Sequence, residues 1–118
     1  MTKVMLVEDD ETFRRMLKTL LELEGFQVVY MEDSPGNSIL EKIKNGSPDI
    51  LLLDIHLRDA NGIDVIRQIR KDEQLKNLRV LMASGMDLKD QCLQAGADGF
   101  LLKPYMPDDL IKWLKNNS

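Results

Sequence analysis

The stretch Asp49-Ile50-Leu51-Leu52-Leu53-Asp54 constrains this chain more than any other. Its consecutive aliphatic residues follow the turn pair Ser47-Pro48 and run straight into a carboxylate. They offer no polar side to water, so they read as a strand buried on both faces. Asp54 then stands where that strand leaves a sheet covered by helices on both sides, the place where open α/β folds hold their ligands. A carboxylate there is a nucleophile, a metal ligand or the cap of the next turn.

The rest of the chain alternates apolar runs with helical patterns. Val4 to Val7 forms a first strand, followed by the acidic run Glu8-Asp9-Asp10-Glu11. Phe13, Met16, Leu17, Leu20 and Leu21 then recur at helical spacing, with Asp10 and Glu11 in the first turn and an end near Glu24, before Gly25. Gln27 to Met31 resumes an extended pattern. The loop over 32–37 carries Pro35 and Gly36, and Ile39, Leu40 and Ile43 mark a short helix stopped by Asn45-Gly46.

After the central strand, the connection from Ile55 to Gly62 contains the turn formers Asp59, Asn61 and Gly62. It exceeds the roughly two to six residues of a compact βα loop, so it has work besides connecting. Val65, Ile66 and Ile69 define the third helix. Arg79 to Ala83 is a fourth strand ending in Ser84-Gly85, and Asp87 is the expected N-cap of a helix reaching Ala95. Gly99 to Lys103 is the fifth strand. Pro107-Asp108-Asp109 opens a last helix whose Leu110, Ile111 and Leu114 face inward, with Lys112 and Lys115 towards its far end. Met5, Met16 and Met82 read as core filling, as does Cys92. Trp113 and Phe100 fit either a shared partner face or ordinary packing.

Five strand-then-helix units with no hairpin signal specify one parallel sheet with helices on both faces and right-handed crossovers. At 118 residues the whole chain, 1–118, is read as a single domain. Sixteen Lys and Arg against 20 Asp and Glu leave a net charge of −4, with no basic surplus for a phosphate backbone, so direct nucleic-acid binding is not expected. No apolar run approaches membrane-spanning length and no leader pattern follows Met1, so no membrane association is expected. A single cysteine favours the reducing cytoplasm.

The carboxyl ends of the strands form one edge of such a sheet. That edge gathers Glu8 and Asp9 from strand one, Asp54 from strand three, Ser84 from strand four and Lys103 from strand five. Two carboxylates about 4 Å apart repel by roughly 4 kcal/mol at an effective dielectric near 20, so three together need a cation or a raised pKa. Lys103 offsets one charge. A small hard divalent ion that keeps several waters suits the remainder, which points to Mg²⁺.

Glu8-Asp9, Asp54, Gly62 eight positions later, Ser84 and Lys103-Pro104, each at its strand end and in this order, resemble the response-regulator receiver domain of two-component signalling over essentially the whole chain. The resemblance implies a flavodoxin-like (βα)5 doubly wound parallel sheet with strand order 2-1-3-4-5. It implies that Asp54 is the phosphoacceptor, taking a phosphoryl group from a sensor histidine kinase or phosphotransfer protein. Asp9 and Asp54 would ligate Mg²⁺ directly, Glu8 through water and His56 through its backbone carbonyl. Ser84 and Lys103 would contact the phosphoryl group, and Ser84 and Phe100 would move as the switch. Lys103-Pro104 resembles the family's cis peptide. His56 and Met86 match the two variable positions flanking the pocket, where apolar Met86 would hinder water. Output would pass by protein contact through the face formed by the fourth helix, fifth strand and fifth helix. The only reaction implied is the chain's own phosphorylation and dephosphorylation.

The pattern departs from the family at Leu57 and Arg58, where Met-Pro is common, and the missing proline is expected to loosen the loop. The His56 side chain is expected to face solvent rather than a metal. A haloacid-dehalogenase-type phosphatase would want a second Asp two positions after Asp54, where His56 stands. A flavodoxin-type electron carrier would not place Glu8-Asp9-Asp10 against a flavin phosphate. Two alternatives stay open: a receiver that is part of a longer regulator with its own output domain, and a receiver-like binding module that is never phosphorylated.

Overall fold

The computed structural model describes residues 1–31, 36 and 38–118, so most of the expected loop over 32–37, Pro35 included, lies outside the described residues. Five strands, β1 (Lys3–Val7), β2 (Gln27–Tyr30), β3 (Ile50–Asp54), β4 (Arg79–Ser84) and β5 (Gly99–Leu102), alternate with five helices, α1 (Glu11–Leu23), α2 (Ile39–Gly46), α3 (Gly62–Lys71), α4 (Lys89–Ala95) and α5 (Pro107–Asn116). All strand pairs are parallel and the order is β2-β1-β3-β4-β5. This is the flavodoxin-like arrangement expected from the sequence. None of the helices among the described residues is long and apolar enough to cross a membrane.

Every residue of β3 is buried, which is why its apolar run shows no alternation. Successive side chains of a strand point to opposite faces, so the sheet divides the core in two. Met5, Leu51, Leu53, Val80 and Met82 pack with Ile43 of α2, with Ile66 and Ile69 of α3, and with Cys92 of α4. On the other face Val4, Leu6, Ile50, Leu52 and Leu81 pack with Leu17 and Leu21 of α1, and with Leu110 and Leu114 of α5.

Several local expectations need correction. Of the two readings of Trp113 and Phe100 the packing agrees with the ordinary one, Phe100 lying against the first of these clusters and Trp113 against the second. Met16 lies nearly half exposed on α1, whereas Met5 and Met82 are fully buried. Helix α2 ends at Gly46 as expected, and Ser47 takes the left-handed turn that follows, at φ 47°. A Cβ on Gly46 would run into the terminal methyl of Met5. Leu88, not Asp87, caps α4, without a side-chain hydrogen bond. Strand β5 ends at Leu102, so Lys103 lies just past it.

One charged side chain ties the amino-end edge of the sheet. The Arg70 guanidinium at the end of α3 donates to the carbonyls of Leu78 (2.6 Å), Gly96 (2.8 Å) and Lys76 (3.1 Å) and to Asp98 (3.0 Å). Asp98 also accepts the Val80 N–H at 2.8 Å, which fixes the start of β4. Hydrogen bonds to a charged group are the stronger kind, so Arg70→Met should cost about 2–3 kcal/mol in urea unfolding, and a loss under about 0.5 kcal/mol would show that water replaces the clasp.

Candidate functional site

The register of the sheet brings the polar residues to its carboxyl edge. Val7 pairs with Leu53 and Asp54 with Ala83, so Glu8 and Ser84 follow at nearly the same level as Asp54. The Lys103 N–H donates to the Ser84 carbonyl at 2.8 Å, extending the β4–β5 ladder to the lysine. Strands lie about 4.8 Å apart, so only a long side chain can cross from β5 over β4 to β3. Lys103 does so: its ammonium sits 3.3 Å from Asp54 Oδ1 and donates to Glu8 Oε2 at 3.0 Å. The Lys103-Pro104 peptide is cis.

Asp54 is 9% exposed, and Glu8 and Lys103 are half-buried. Burial pushes the Glu8 carboxyl above the usual carboxylate range; the Lys103 hydrogen bond opposes that shift and the negative charge of Asp54 adds to it. Glu8, Asp9, Asp54 and His56 line one open hollow. Asp9 points one oxygen at the loop after β3, where its Oδ2 accepts the Arg58 backbone N–H at 2.6 Å. Among the described residues no three carboxylate, imidazole or thiol side chains gather into a complete metal cage. What the hollow offers is the carboxylates of Glu8, Asp9 and Asp54, an oxygen donor set that fits a hard cation keeping most of its waters.

The loop after β3 is ordered by its own backbone. Gly62 donates to the Ile55 carbonyl at 2.8 Å, Leu57 to the Ala60 carbonyl at 3.2 Å, and His56 and Asn61 form an antiparallel bridge. The Arg58 N–H, which a proline would lack, is the group bonded to Asp9. Gly62 earns its place through contact: a Cβ there would lie 2.7 Å from the Asp54 carbonyl oxygen and 2.8 Å from the Ile55 Cα. Asn61 caps α3, its side chain accepting the Ile63 N–H at 2.8 Å.

The remaining expected residues are nearby but differently engaged. The Ser84 hydroxyl is buried and accepts the Met86 N–H at 3.0 Å. Met86 is 59% exposed, and the His56 side chain faces solvent as expected. Phe100 is half-buried under α4. Asp10 caps α1 by accepting the Phe13 N–H at 3.0 Å, and Glu11 occupies the first turn.

Sequence reasoning missed the aromatic surroundings of the lysine. The Lys103 ammonium lies 5.3 Å from the centre of the Phe13 ring, and Tyr105 meets Phe13 edge-on at 6.0 Å. The Tyr105 phenol is pushed well above its usual range, first by burial and then by the charges of Glu8 and Asp54. Arg14 donates to the Glu8 carbonyl at 3.2 Å and stacks on Tyr30 at 4.8 Å. Phe13 had registered only as one apolar position of α1. The signal for Tyr105 was its place directly after Lys103-Pro104.

Comparison with known proteins agrees with this geometry. The family described as "Response regulator receiver domain" matches residues 4–115. The chain is 37% identical over 106 residues to the chemotaxis protein CheY of Pseudomonas aeruginosa, covering 87% of this chain and 85% of that protein. It is 38% identical over 112 residues to the transcriptional regulatory protein CpxR of Escherichia coli, covering 94% of this chain but 47% of that protein. The solved chemotaxis response regulator CheY4 of Vibrio cholerae superposes with a TM-score of 0.86 at 27% identity, over 100% of this chain and 99% of that one.

Two outcomes follow from the geometry. Glu8 takes a proton more readily in the folded chain than in the unfolded one, so its contribution to stability is full below the ordinary glutamate pKa and is lost as pH rises towards the raised value. In metal-free protein, Glu8→Gln should therefore flatten the fall of the urea midpoint as pH rises above the ordinary glutamate pKa, and an unchanged profile would mean that Lys103 cancels the burial. Gly62→Ala should cost about 1–3 kcal/mol and move the Asp54 and Ile55 backbone resonances, whereas a silent substitution would refute the close contact.

Proposed function

The chain belongs to the response-regulator receiver family, and from that premise we propose that it is a phosphorylation-activated switch with Asp54 as the phosphoacceptor. The observation that carries this reading is the Lys103 ammonium held against both Asp54 and Glu8 at the sheet edge, beside the hollow lined by Asp9 and His56. The phosphodonor is a sensor histidine kinase or a phosphotransfer protein. A free Asp54 oxygen attacks phosphorus, the phosphorus–nitrogen bond of the donor breaks, and the imidazole leaves while an acyl phosphate forms on Asp54.

Each neighbouring group has a part in that reaction. Lys103 needs only a small displacement to exchange one carboxylate partner for a phosphoryl oxygen, carrying positive charge to the place where negative charge gathers. Asp9, Asp54 and the His56 carbonyl would hold Mg²⁺, with Glu8 reaching it through water. Bound there, Mg²⁺ supplies charge neutralisation at the phosphoryl oxygens. The Ser84 hydroxyl, now turned to the Met86 N–H, would rotate to hydrogen-bond the phosphoryl group, with Phe100 following as space opens under α4. Phosphorylation then biases a pre-existing equilibrium rather than building a new structure.

Output is by contact with another protein. Exposed Leu93, Leu102 and Met106 on or near α4, β5 and α5 support that face as the surface read by the target. Met86, exposed and bonded through its N–H to Ser84, would hinder the approach of hydrolytic water.

Incubation with acetyl phosphate and Mg²⁺ should add one phosphoryl group to the wild-type chain by intact mass, and none to Asp54→Asn. Lys103→Ala should keep its fold while being phosphorylated roughly a hundredfold more slowly, the usual cost of losing one stabiliser of transition-state charge. Label on Asp54→Asn would move the phosphoacceptor to another residue, and none on the wild type, with beryllofluoride also failing to bind, would leave only a receiver-like binding module.

A further inference from the structure

The loop after β3 carries a feature that depends on residue 58 not being proline. The Arg58 backbone N–H donates to Asp9 Oδ2 at 2.6 Å, a short bond to a carboxylate that joins residues 49 apart in the chain. The Arg58 side chain is exposed, so the link is made by the backbone and not by the guanidinium. We infer that the Arg58 N–H is the positioning group for the Asp9 carboxylate, holding one oxygen at the loop so that the other is presented to a divalent cation. This rests on the reading of the hollow as a Mg²⁺ site.

The physical reason is the freedom of a carboxylate. An exposed Asp turns about its last bond and presents either oxygen, and binding a cation must then freeze that rotation. Anchoring Oδ2 removes most of it in advance and leaves Oδ1 as the ligating atom. The same loop is closed by the Leu57-to-Ala60 hydrogen bond and the His56–Asn61 bridge. The Asp9 carboxylate and the His56 carbonyl are therefore fixed to one frame, although they come from different strands. Hydrogen bonds of this kind, from groups that do not touch the metal, orient the groups that do.

The test compares Arg58→Pro, which removes the N–H, with Arg58→Ala, which keeps it. Mg²⁺ is titrated into each protein by calorimetry and followed by backbone amide resonances, with no phosphodonor present. Arg58→Pro should bind Mg²⁺ about tenfold more weakly than wild type, and Arg58→Ala within about twofold of it. Equal affinity of a folded Arg58→Pro overturns the inference, as does an equal loss in Arg58→Ala. Should Arg58→Pro fail to fold by circular dichroism, hydrogen exchange at the wild-type Arg58 amide decides. Slow exchange in both metal-free and Mg²⁺-saturated protein supports the inference, and fast exchange once Mg²⁺ is bound overturns it. A wild type that binds no Mg²⁺ overturns the reading of the hollow as well, an outcome distinct from failure of the Arg58 link alone.

Discussion

The arrangement depends on one ammonium serving two carboxylates. Glu8 and Asp54 sit at the ends of neighbouring strands, partly out of water, where their repulsion would splay the sheet edge if nothing offset it. Lys103, just past β5 and 95 residues along the chain from Glu8, reaches across β4 to do so. Its reach sets the topology required of the scaffold: β3 in the interior, β1 on one side, and β4 carrying only a small hydroxyl residue over which the lysine can pass. Phe13 and Tyr105 then wall the lysine in, so that its charge is directed at the acids rather than at bulk solvent.

The two ends of the sheet are built to different purposes. At the amino-end edge Arg70 engages three carbonyls and Asp98, joining α3, α4 and β4 through several bonds at once. At the carboxyl edge the polar groups hold replaceable partners: Ser84 leans on a backbone N–H, and Lys103 divides itself between two acids. A structure anchored at one end and exchangeable at the other confines rearrangement to the edge where a covalent change would occur.

Much of this was legible in the sequence because it rests on local rules. The unbroken Ile50–Leu53 run shows no alternation because both faces of β3 are covered, and Asp10 and Pro107 start helices for reasons contained within a few residues. Errors arose where distant atoms decide. Asp87 looked like the cap of α4, yet Leu88 takes that place. Met16 fits the helical period but lies beyond the edge of the surface that α1 covers. At Arg58 the missing proline ring is visible in a sequence, while the carboxylate that takes the N–H is not. Asp9, Asp54, Ser84 and Lys103 were found by the topology that brings strand ends together, whereas Phe13 and Tyr105 needed the packing itself.

Gly99 has no side chain because the Trp113 ring occupies the space, and a Cβ there would lie 2.4 Å from the indole nitrogen. The next residue along β5 is Phe100, so the chain's sole indole rests on the backbone that carries the aromatic proposed to switch, from the opposite side of the sheet. A shift of that backbone would alter the polarity and quenching around a fluorophore the protein already contains. Its ultraviolet emission is thus an intrinsic optical gauge of β5, readable on the unlabelled chain in real time.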